Sequence, residues 1–306
     1  MKIIVTGATG FVGAALCKAL VERGDQVIAL SRDAARAKAK LGPSVEVLEA
    51  DLETVGPWGR AFANAGAILH LAGESVGAKR WDARQKQVIR DSRVETTRTI
   101  VEAIAELDRP DRPKTLICAS GTDYYPFALP PIDDDEVTEI DPPSDSFLGR
   151  VCRDWEKEAR GAEPLGVRVA MLRTGIVLGH GGPLDKMTTP FKLFAGGKLG
   201  NGEQWMPWIH LDDVVAAYAT AAHDARYAGP INLVTDSVRN REFAAALGRA
   251  LGRPSWLRTP KLAIKAALGE FSEYVLHGRR VVPARLRELG FQWKYPALED
   301  ALRAAI

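Results

Sequence analysis

The chain has 306 residues, 46% of them hydrophobic, and can therefore bury a large core as one elaborated domain or two domains. Its 41 lysines and arginines nearly balance 39 aspartates and glutamates, and this formal charge of +2 disfavours a nucleic-acid partner. The chain begins with the strand pattern KIIVTG in place of a signal leader, and no apolar run approaches the roughly 20 residues of a membrane span. We therefore expect a cytoplasmic protein without a membrane partner.

Three cysteines, Cys17, Cys118 and Cys152, lie within apolar segments and lack the spacing of a metal site. Free cysteines in such segments pack as small hydrophobic residues. We therefore expect free thiols in a reducing cytosol and no metal.

Short strand patterns alternate with longer helical patterns through the first two thirds of the chain. This alternation predicts an α/β fold with a doubly wound parallel sheet, which binds ligands at the carboxyl ends of its strands. In chain order the predicted elements are KIIVTG, a helix over 11–23, QVIALS, VEVLEAD, AILHLAG, a helix over about 82–107, TLICAS, a helix over about 146–162 and VRVAMLRTG.

The texture of the sequence changes after about residue 179 to glycine-rich loops, a helix over 211–223, the strand INLVTD and two further helical patterns. We expect a Rossmann domain formed by residues 1–178 plus about 209–232. A smaller substrate-binding lobe is expected from residues 179–208 and 233–306. The acidic run over 132–141 is interpreted as a solvated loop.

A strand, a glycine loop and a helix open the chain, in the order of a dinucleotide-binding unit. Such glycines permit a tight turn, let the backbone approach a pyrophosphate, and bring the helix N-terminus close to the anion. The second strand closes a unit of about 30 residues, which strengthens this interpretation over a turn that serves packing alone. The predicted cofactor contacts of the loop are Gly7, Thr9, Gly10, Phe11, Val12 and Gly13.

The second strand ends in Ser31 and Arg32, where an acidic residue would bind the adenosine ribose of NAD. A hydroxyl and a guanidinium suit a 2′-phosphate instead, because arginine offers a planar fork of donors and a permanent charge. The sequence therefore predicts NADP(H). Two alternatives stay open: Arg32 can begin a solvated helix, and Asp33 can still reach a ribose.

The third and fourth strands also end in predicted cofactor contacts. Asp51 and Leu52 follow VEVLEA, where a carboxylate can accept a hydrogen bond from the adenine amino group. The fourth strand, AILHLAG, ends in Leu71, Ala72 and Gly73. The carboxyl ends of parallel strands meet at one edge, and we therefore expect both sets at the cofactor.

Charged and aromatic side chains follow the fourth strand in AGESVGAKRW. Glu74, Arg80 and Trp81 lie where substrates of such a sheet bind. A cation beside an indole suits an anionic ligand that also stacks. The alternative is the solvated start of a helix.

The chain resembles the extended short-chain dehydrogenase/reductases, the NAD(P)-dependent epimerase/dehydratase superfamily, in TGATGFVG, ADL, HLAG and WIHLDDVV. It resembles a narrower epimerase-like branch in AGESVGAKRWDARQKQVIRDSRVETT, CASGTDYYP, GNGEQWMPWIHLDD and RLRELGFQWKYPALEDAL. Members of that branch have their own C-terminal domain and are labelled sugar-nucleotide epimerases or cell-division inhibitors. The resemblance runs nearly end to end and implies a C-terminal lobe that closes over the nicotinamide.

The resemblance also exposes a missing pair. The superfamily uses a tyrosine as acid/base and a lysine four residues later, on the helix that here reads SDSFLGRVCRDWEKEA. Phe147 falls at the tyrosine position and Val151 at the lysine position. Neither can move a proton or hold a ribose. Arg150 or Arg153, nearby, serves the cofactor or faces solvent.

Other polar groups are candidates for the proton chemistry. By resemblance Ser120 lies at, or one residue before, the catalytic Ser/Thr, and Gly121 is the other match. Tyr124 or Tyr125 follows in the loop, and we expect Ser120 and Tyr124 to be catalytic. The alternative for Tyr124 is packing under the loop.

Two later segments complete the predicted site. Arg173 ends the sixth strand, before a glycine loop that by resemblance passes the nicotinamide carboxamide. Trp205 lies in QWMPWIH, which is too aromatic for an exposed loop, and is expected to line the substrate cleft or to pack in the core. His210 is predicted to cap the helix that carries Asp212 and Asp213.

Two functions remain open. The first is an NADP(H)-dependent oxidoreductase or epimerase on a small polar substrate, possible classes being an anion or a nucleotide sugar, with hydride transfer at the nicotinamide C4. The second is a non-catalytic NADP(H)-binding redox sensor or interaction protein, favoured by the missing pair. The polar cleft favours the enzyme.

Overall fold

The computed structural model describes residues 1–128 and 134–306. The strands of the described chain are β1 Lys2–Thr6, β2 Gln26–Ser31, β3 Glu46–Glu49, β4 Ala67–His70, β5 Thr115–Gly121, β6 Glu136–Val137, β7 Arg168–Thr174, β8 Ile176–Leu178, β9 Gly197–Leu199, β10 Trp205–His210, β11 Gly229–Leu233, β12 Asp236–Arg239, β13 Leu257–Thr259 and β14 Arg280–Val281. The helices are α1 Phe11–Glu22, α2 Ala34–Leu41, α3 Ala83–Asp91, α4 Val94–Ala105, α5 Phe147–Arg160, α6 Pro183–Lys192, α7 Leu211–His223, α8 Asn240–Leu251, α9 Lys261–Leu268, α10 Ser272–Leu276, α11 Ala284–Glu288 and α12 Leu298–Ala305.

The central sheet has seven parallel strands in the order β3-β2-β1-β4-β5-β7-β11. Its order reverses between β1 and β4, where successive crossovers leave in opposite directions. A crevice therefore opens at the carboxyl ends of these two strands. The predicted doubly wound α/β fold is confirmed.

Helices cover both faces of this sheet, as a fully buried parallel sheet requires. On one face α1 and α7 contribute Leu16, Leu20 and Tyr218 to a buried core. On the other, α4 and α5 contribute Ile100 and Trp155. The free thiols are buried, and burial raises the pKa of Cys17 and Cys152 to about 12.

The helix predicted over 82–107 is wrong as one element, because the chain breaks between α3 and α4. At the break, the Ser92 hydroxyl donates to the Ile89 carbonyl at 3.1 Å and accepts from the Glu74 amide at 2.9 Å. Such side-chain bonds compete with the backbone bonds of a helix. The break brings Arg93, the residue before α4, to the sheet edge.

The other three predicted helices are confirmed, and two of them have visible side-chain caps. Ser146 begins α5 by accepting from the amide of Gly149 at 3.1 Å. His210 begins α7 by accepting from the amide of Asp212 at 3.1 Å, as predicted for an N-cap.

Smaller sheets follow the central one: β12-β10-β8 with three strands, and the parallel pairs β9-β13 and β6-β14. The three-stranded sheet packs with α6, α8 and α12 around Phe191, Trp208 and Phe243. The predicted boundaries, residues 1–178 plus 209–232 against the remainder, stay a prediction.

Residues 132 and 133 of the acidic run over 132–141 lie outside the described residues. The described part of the run is not the expected solvated loop. Glu136 and Val137 form β6, and the Glu139 carboxylate accepts from the amides of Asn232 at 2.9 Å and Arg285 at 3.1 Å. Within 1–128 and 134–306, no helix combines the length and apolarity needed to cross a bilayer.

Candidate functional site

The glycine loop after β1 is packed too tightly for any side chain. Gly7 has a φ of +67°, and a Cβ on it would lie 2.6 Å from the carbonyl carbon of Leu71. A Cβ on Gly13 would lie 2.2 Å from the Gly7 carbonyl oxygen, which also accepts from the Gly10 amide at 2.9 Å. The three glycines therefore press the start of α1 against the end of β4.

The first turn of α1 is arranged to receive an anion. Its N-cap is Gly10, and among the described residues no side chain caps this end and no acidic residue lies in the first turn. The first amides of a helix are left without intrahelical partners and carry partial positive charge. Thr9 and Val12 lie in the same loop, and Lys40 donates to the Thr9 carbonyl at 2.8 Å. The residues present fit a dinucleotide pyrophosphate.

Phe11 seals one side of this loop. A Cβ on Gly182 would lie 2.4 Å from the Phe11 ring, so the loop after β8 lies directly on that ring. A side chain at this contact would open a gap beside the first turn of α1. The contact between Phe11 and Gly182 thus joins the glycine loop to the segment between β8 and α6.

The end of β2 presents an unpaired cation to solvent. Arg32 is exposed and has no hydrogen-bond or ion-pair partner in the described part of the chain, and the neighbouring Ser31 hydroxyl donates to the Asp33 carbonyl at 3.1 Å. The carboxylate of Asp33 caps α2 by accepting from the Arg36 amide at 2.9 Å. The Asp33 carboxylate, the alternative ribose ligand in the sequence analysis, is therefore used in part as a helix cap.

The ends of β3 and β4 lie where the cofactor was predicted. Asp51 is exposed and accepts from the Glu53 amide at 3.1 Å, and Leu52 beside it is partly buried. The Thr6 hydroxyl accepts from the Ala72 amide at 3.2 Å and bonds His70 Nδ1 at 2.7 Å. Burial lowers the pKa of His70 to about 3, with Arg93 acting in the same direction, so a neutral imidazole joins β1 to β4.

Arg93 lies beside the Leu71–Gly73 segment, which the sequence predicted as a cofactor contact. A Cβ on Gly73 would lie 3.2 Å from the guanidinium carbon of Arg93. Arg93 donates to the Ile89 carbonyl at 3.0 Å and lies over the Trp155 ring at 5.3 Å. Burial lowers its pKa, while Cys152, Asp123 and Glu74 raise it. Glu74, one of the predicted substrate residues, is thus among the acidic groups that act on Arg93.

Asp123 lies next to Gly121 at the end of β5. A Cβ on Gly121 would lie 3.7 Å from both the Asp123 carboxylate and the Cys152 sulfur. Burial raises the pKa of Asp123 to about 6, and the Arg93 cation opposes that rise. The sequence analysis missed Asp123 and Arg93, although both lie in the segments CASGTDYYP and RDSRVETT that carry the resemblance.

Ser120 and Arg173 meet at a buried carboxylate behind the cleft. The Ser120 hydroxyl donates to Glu156 at 2.8 Å, and Arg173 donates to both Glu156 oxygens at 2.7 and 2.8 Å. Arg173 is 1% exposed. Burial by itself lowers the pKa of Arg173, but its bonds to Glu156 outweigh that effect and raise it. This placement gives Arg173 a structural role, and its predicted cofactor contact stays a prediction.

The two tyrosines after β5 lie on the same cation. The Tyr124 ring covers the Arg173 guanidinium at 3.5 Å, and the Tyr125 hydroxyl accepts from Arg173 at 2.8 Å. Tyr125 is buried, and its hydroxyl donates to the side-chain oxygen of Asn232 at 2.6 Å, so the phenol proton is already used in a hydrogen bond. Tyr124 is partly exposed and remains the candidate of the pair. The catalytic roles of Ser120 and Tyr124 stay predictions.

An aromatic cluster surrounds Phe147, the residue that the sequence analysis predicts at the tyrosine position of the superfamily. Trp81 contacts Phe147 at 5.2 Å and both Phe271 and Tyr274 at 5.4 Å between ring centroids. The indole of Trp81 donates to the Val76 carbonyl at 2.7 Å and the side chain is 8% exposed. The predicted stacking partner of a substrate is thus largely covered by protein.

Tyr274 brings a phenol from α10 to the start of α5. Its hydroxyl accepts from the Leu148 amide at 3.0 Å, one residue after Phe147. Burial raises the pKa of Tyr274, and Asp123 acts in the same direction. The sequence analysis missed this residue because nothing in the local pattern of α10 links it to α5.

The remaining predicted residues lie apart from Asp123. Arg80 is exposed and donates to the Ala266 carbonyl at 3.4 Å. Trp205 lines a cavity of about 80 Å³ and lies 3.8 Å from the guanidinium of Arg239. Arg150 and Arg153, near the missing lysine position, are exposed, and Arg153 bonds Asp154 at 3.1 Å.

Comparison with known proteins adds three findings. Residues 3–233 match the NAD dependent epimerase/dehydratase family, and residues 259–305 match a domain of unknown function, DUF1731. The chain is 38% identical to the chloroplastic epimerase family protein SDR39U1 homolog of Arabidopsis thaliana, over 99% of this chain and 86% of that protein. It is 34% identical to the epimerase family protein YfhF of Bacillus subtilis, over 100% and 98%.

A solved structure shares the whole architecture. The human epimerase family protein SDR39U1, crystallised with NADPH, superposes with a TM-score of 0.84 at 31% identity. The match covers 100% of this chain and 99% of the human one. The similarity therefore includes both the central sheet and the C-terminal segments.

Proposed function

Because the chain belongs to the NAD dependent epimerase/dehydratase family, we propose that it is an NADP(H)-dependent oxidoreductase or epimerase that acts on a small polar substrate. The observation that carries the proposal is the glycine cradle at the uncapped start of α1, with the unpaired Arg32 at the next strand end. The NADPH in the human relative supports the same cofactor.

Each part of the cofactor has candidate partners along the sheet edge. The glycine loop, Gly7 to Gly13, would hold the pyrophosphate on the first amides of α1. Ser31 and Arg32 would bind the 2′-phosphate, and Asp51 with Leu52 the adenine. Residues 71–73 would lie against the nicotinamide half. When bound, NADP(H) supplies or accepts a hydride at the nicotinamide C4.

The substrate end is supported by the polar groups that gather between β4 and β5. The charges of Glu74 and Asp123 both act on Arg93 there, and Arg93 keeps guanidinium donors that bond no other described residue. Such an arrangement suits a substrate with carbonyl, hydroxyl or anionic groups. Arg80, Trp81 and Trp205 stay proposed substrate residues, with anionic or nucleotide-sugar substrates as the classes to test.

A specific observation favours the sensor alternative. By the resemblance Phe147 and Val151 fall at the positions of the acid/base pair, and Phe147 packs in an aromatic cluster with Trp81 and Tyr274. A protein with this cluster can bind NADP(H) without transferring hydride. Turnover, rather than cofactor binding, distinguishes the two functions.

Calorimetry with NADPH and NADH tests the proposed cofactor. A partly exposed arginine–phosphate pair contributes about 1.5–3 kcal/mol, and we therefore expect NADPH to bind roughly 10- to 100-fold more tightly than NADH, with less preference at high salt. Arg32→Asp should abolish the preference. Arg36→Asp, the matched change on the adjacent exposed helix α2, should retain most of it. Equal affinity of the wild type for both cofactors would remove the NADP(H) assignment.

A substrate panel then separates the enzyme from the sensor. Purified protein with NADPH is offered ketones, aldehydes and nucleotide sugars, and with NADP⁺ the corresponding alcohols. Hydride transfer is followed at the nicotinamide absorbance and epimerisation by chromatography. Stoichiometric NADPH binding without turnover across the panel would favour the sensor.

A further inference from the structure

Asp123 is an acidic group at the carboxyl edge of the sheet that the fold does not use. It follows β5 in the short turn Thr122–Tyr124, beside the crevice. No hydrogen bond to its carboxylate is found in the described chain, whereas Asp33 and Asp82 each cap a helix. A carboxylate that is partly buried and makes no structural bond is costly to keep. That cost points to a functional group.

The surroundings of Asp123 come from three different helices. Arg93 approaches from the start of α4, Cys152 from α5, and Tyr274 from α10. Beyond them, Glu74 faces Arg93 and Glu156 faces Cys152. Arg93 is therefore the cation that acts on Asp123, and the thiol and phenol beside it are neutral because burial raises the pKa of both Cys152 and Tyr274.

Arg93 links Asp123 to the predicted nicotinamide side of the cofactor. Its guanidinium carbon lies 3.2 Å from where a Cβ on Gly73 would be, at the end of the Leu71–Gly73 segment. The Ile89 carbonyl, 3.0 Å from Arg93, holds the side chain in this direction. The same arginine therefore acts on Asp123 and lies against the end of β4.

We propose that Asp123 carries the proton in this cleft and that Arg93 is the positioning residue that governs its charge, in place of the groups absent at 147 and 151. This inference rests on the proposed function. In the reductive direction the substrate carbonyl carbon gains the hydride and its electron pair, and the carbonyl oxygen takes the proton from the Asp123 carboxylic acid. The carbonyl becomes an alcohol as NADPH is oxidised to NADP⁺, and the carboxylate remains beside Arg93. Oxidation of an alcohol runs the same steps backward.

The other candidates fit the role less well. The Ser120 hydroxyl donates a hydrogen bond to the buried Glu156, and the Tyr125 hydroxyl donates one to Asn232. Tyr124 lies on the Arg173 guanidinium. Asp123, with a pKa raised to about 6 by burial against the opposing effect of Arg93, can give and take a proton near neutrality.

The deciding measurement needs no substrate. Carbon-13 NMR of aspartate-labelled full-length protein should show a carboxyl that titrates near pH 6 and is missing in Asp123→Asn. Arg93→Met should move that midpoint upward, because a cation that favours the carboxylate is lost. Asp154→Asn, on the exposed side of α5, should leave the midpoint unchanged. A carboxyl at 123 that titrates near pH 4, or that ignores Arg93→Met, would overturn the proposal.

Saturating NADPH tests whether Asp123 lies at the reacting end of the site. The cofactor should displace the Asp123 midpoint by at least half a pH unit, whereas Asp123→Asn should bind NADPH within twofold of wild type by calorimetry. An unmoved midpoint with bound NADPH overturns the proposal and leaves the cofactor assignment standing. Failure of the wild type to bind NADPH removes the proposed function instead.

Turnover and stability supply the remaining readouts. With ethyl acetoacetate as the ketone probe, Asp123→Asn should lower NADPH oxidation roughly 100-fold or more and Asp154→Asn should not. A raised pKa in the folded state contributes stability below the unfolded pKa that is lost as pH rises through about 6. Asp123→Asn should therefore unfold at higher urea than wild type at pH 8, and this difference should shrink as the pH falls through about 6 towards the ordinary aspartate pKa of 3.8. An oxidation rate within threefold of wild type would contradict the role.

Discussion

At the scale of single residues, the most tightly connected group is the buried pair of Glu156 and Arg173. Glu156 is 3% exposed, and its carboxylate accepts from Ser120 as well as from Arg173. Arg173 also donates to Tyr125. Removing one partner of a buried, hydrogen-bonded charge pair typically costs about 3–5 kcal/mol, so these residues hold β5, β7 and α5 together behind the cleft.

The substitution Ser120→Ala separates a structural from a catalytic role for this hydroxyl. Loss of a hydrogen bond to a buried carboxylate should lower the free energy of unfolding by about 1.5–3 kcal/mol, measured by urea denaturation. The affinity for NADPH should not change. Ser75→Ala, at an exposed serine beyond β4, is the control and should be nearly neutral. Unchanged stability with a large loss of turnover would instead return Ser120 to the catalytic machinery.

At the scale of elements, the β1–α1 unit shows why Gly7 and Gly13 need to be glycines. Gly13 lies one turn into α1, and its missing side chain lets the helix rest on the Gly7 carbonyl. Close contact there positions the first amides of α1 at the sheet edge. The distance between helix and loop therefore controls both packing and the place of the pyrophosphate.

The substitution Gly13→Ala should push α1 away from the loop. Its Cβ would lie 2.2 Å from the Gly7 carbonyl oxygen, and overpacking of this kind costs about 1–3 kcal/mol of stability. NADPH and NADH should weaken alike, by roughly tenfold if about 1.4 kcal/mol of the cost falls on binding. Gly77→Ala, where the nearest atom is 3.7 Å away, is the matched control. Selective weakening of NADPH would contradict a purely geometric effect.

At the scale of the whole molecule, two carboxylates join the C-terminal segment to the central sheet. Asp213, on α7, is 1% exposed and accepts from the amides of Lys294 at 2.6 Å and Tyr295 at 3.2 Å. Glu139 accepts from the amides of Asn232 and Arg285. These bonds satisfy backbone groups that no helix or strand partner reaches. The segment that matches DUF1731 thus folds onto the family domain through the buried carboxylate of Asp213 and the partly buried carboxylate of Glu139.

Adjacent aspartates on α7 allow a matched test of this junction. Asp213→Ala leaves two amides unpaired and should lower the free energy of unfolding by about 2–4 kcal/mol. Asp212→Ala breaks an exposed ion pair with Lys294 and should cost at most about 1 kcal/mol. Urea denaturation gives both values, and hydrogen exchange at residues 294 and 295 should accelerate in Asp213→Ala alone. Equal effects of the two substitutions would show that the buried acceptor is dispensable.

The sequence alone determined what short-range pattern controls. Strand–helix alternation predicted the parallel sheet, local spacing predicted the glycine loop, and cap residues predicted the start of α7 at His210. The resemblance predicted that the acid/base positions fall at 147 and 151. These features depend on neighbours within one or two turns of chain, and they are therefore readable without the fold.

Only the tertiary structure decided which polar groups meet. Arg93, Asp123 and Tyr274 are far apart in the chain, and the break before α4 and the docking of α10 on α5 bring them together. Arg173 is a second example, since its strand-end position predicts a cofactor contact and only the structure shows that it bonds the buried Glu156 on α5. The role of a side chain depends on which charged groups lie next to it in space. Sequence periodicity predicts the face of an element on which a side chain lies, but not which residues from distant segments it meets there.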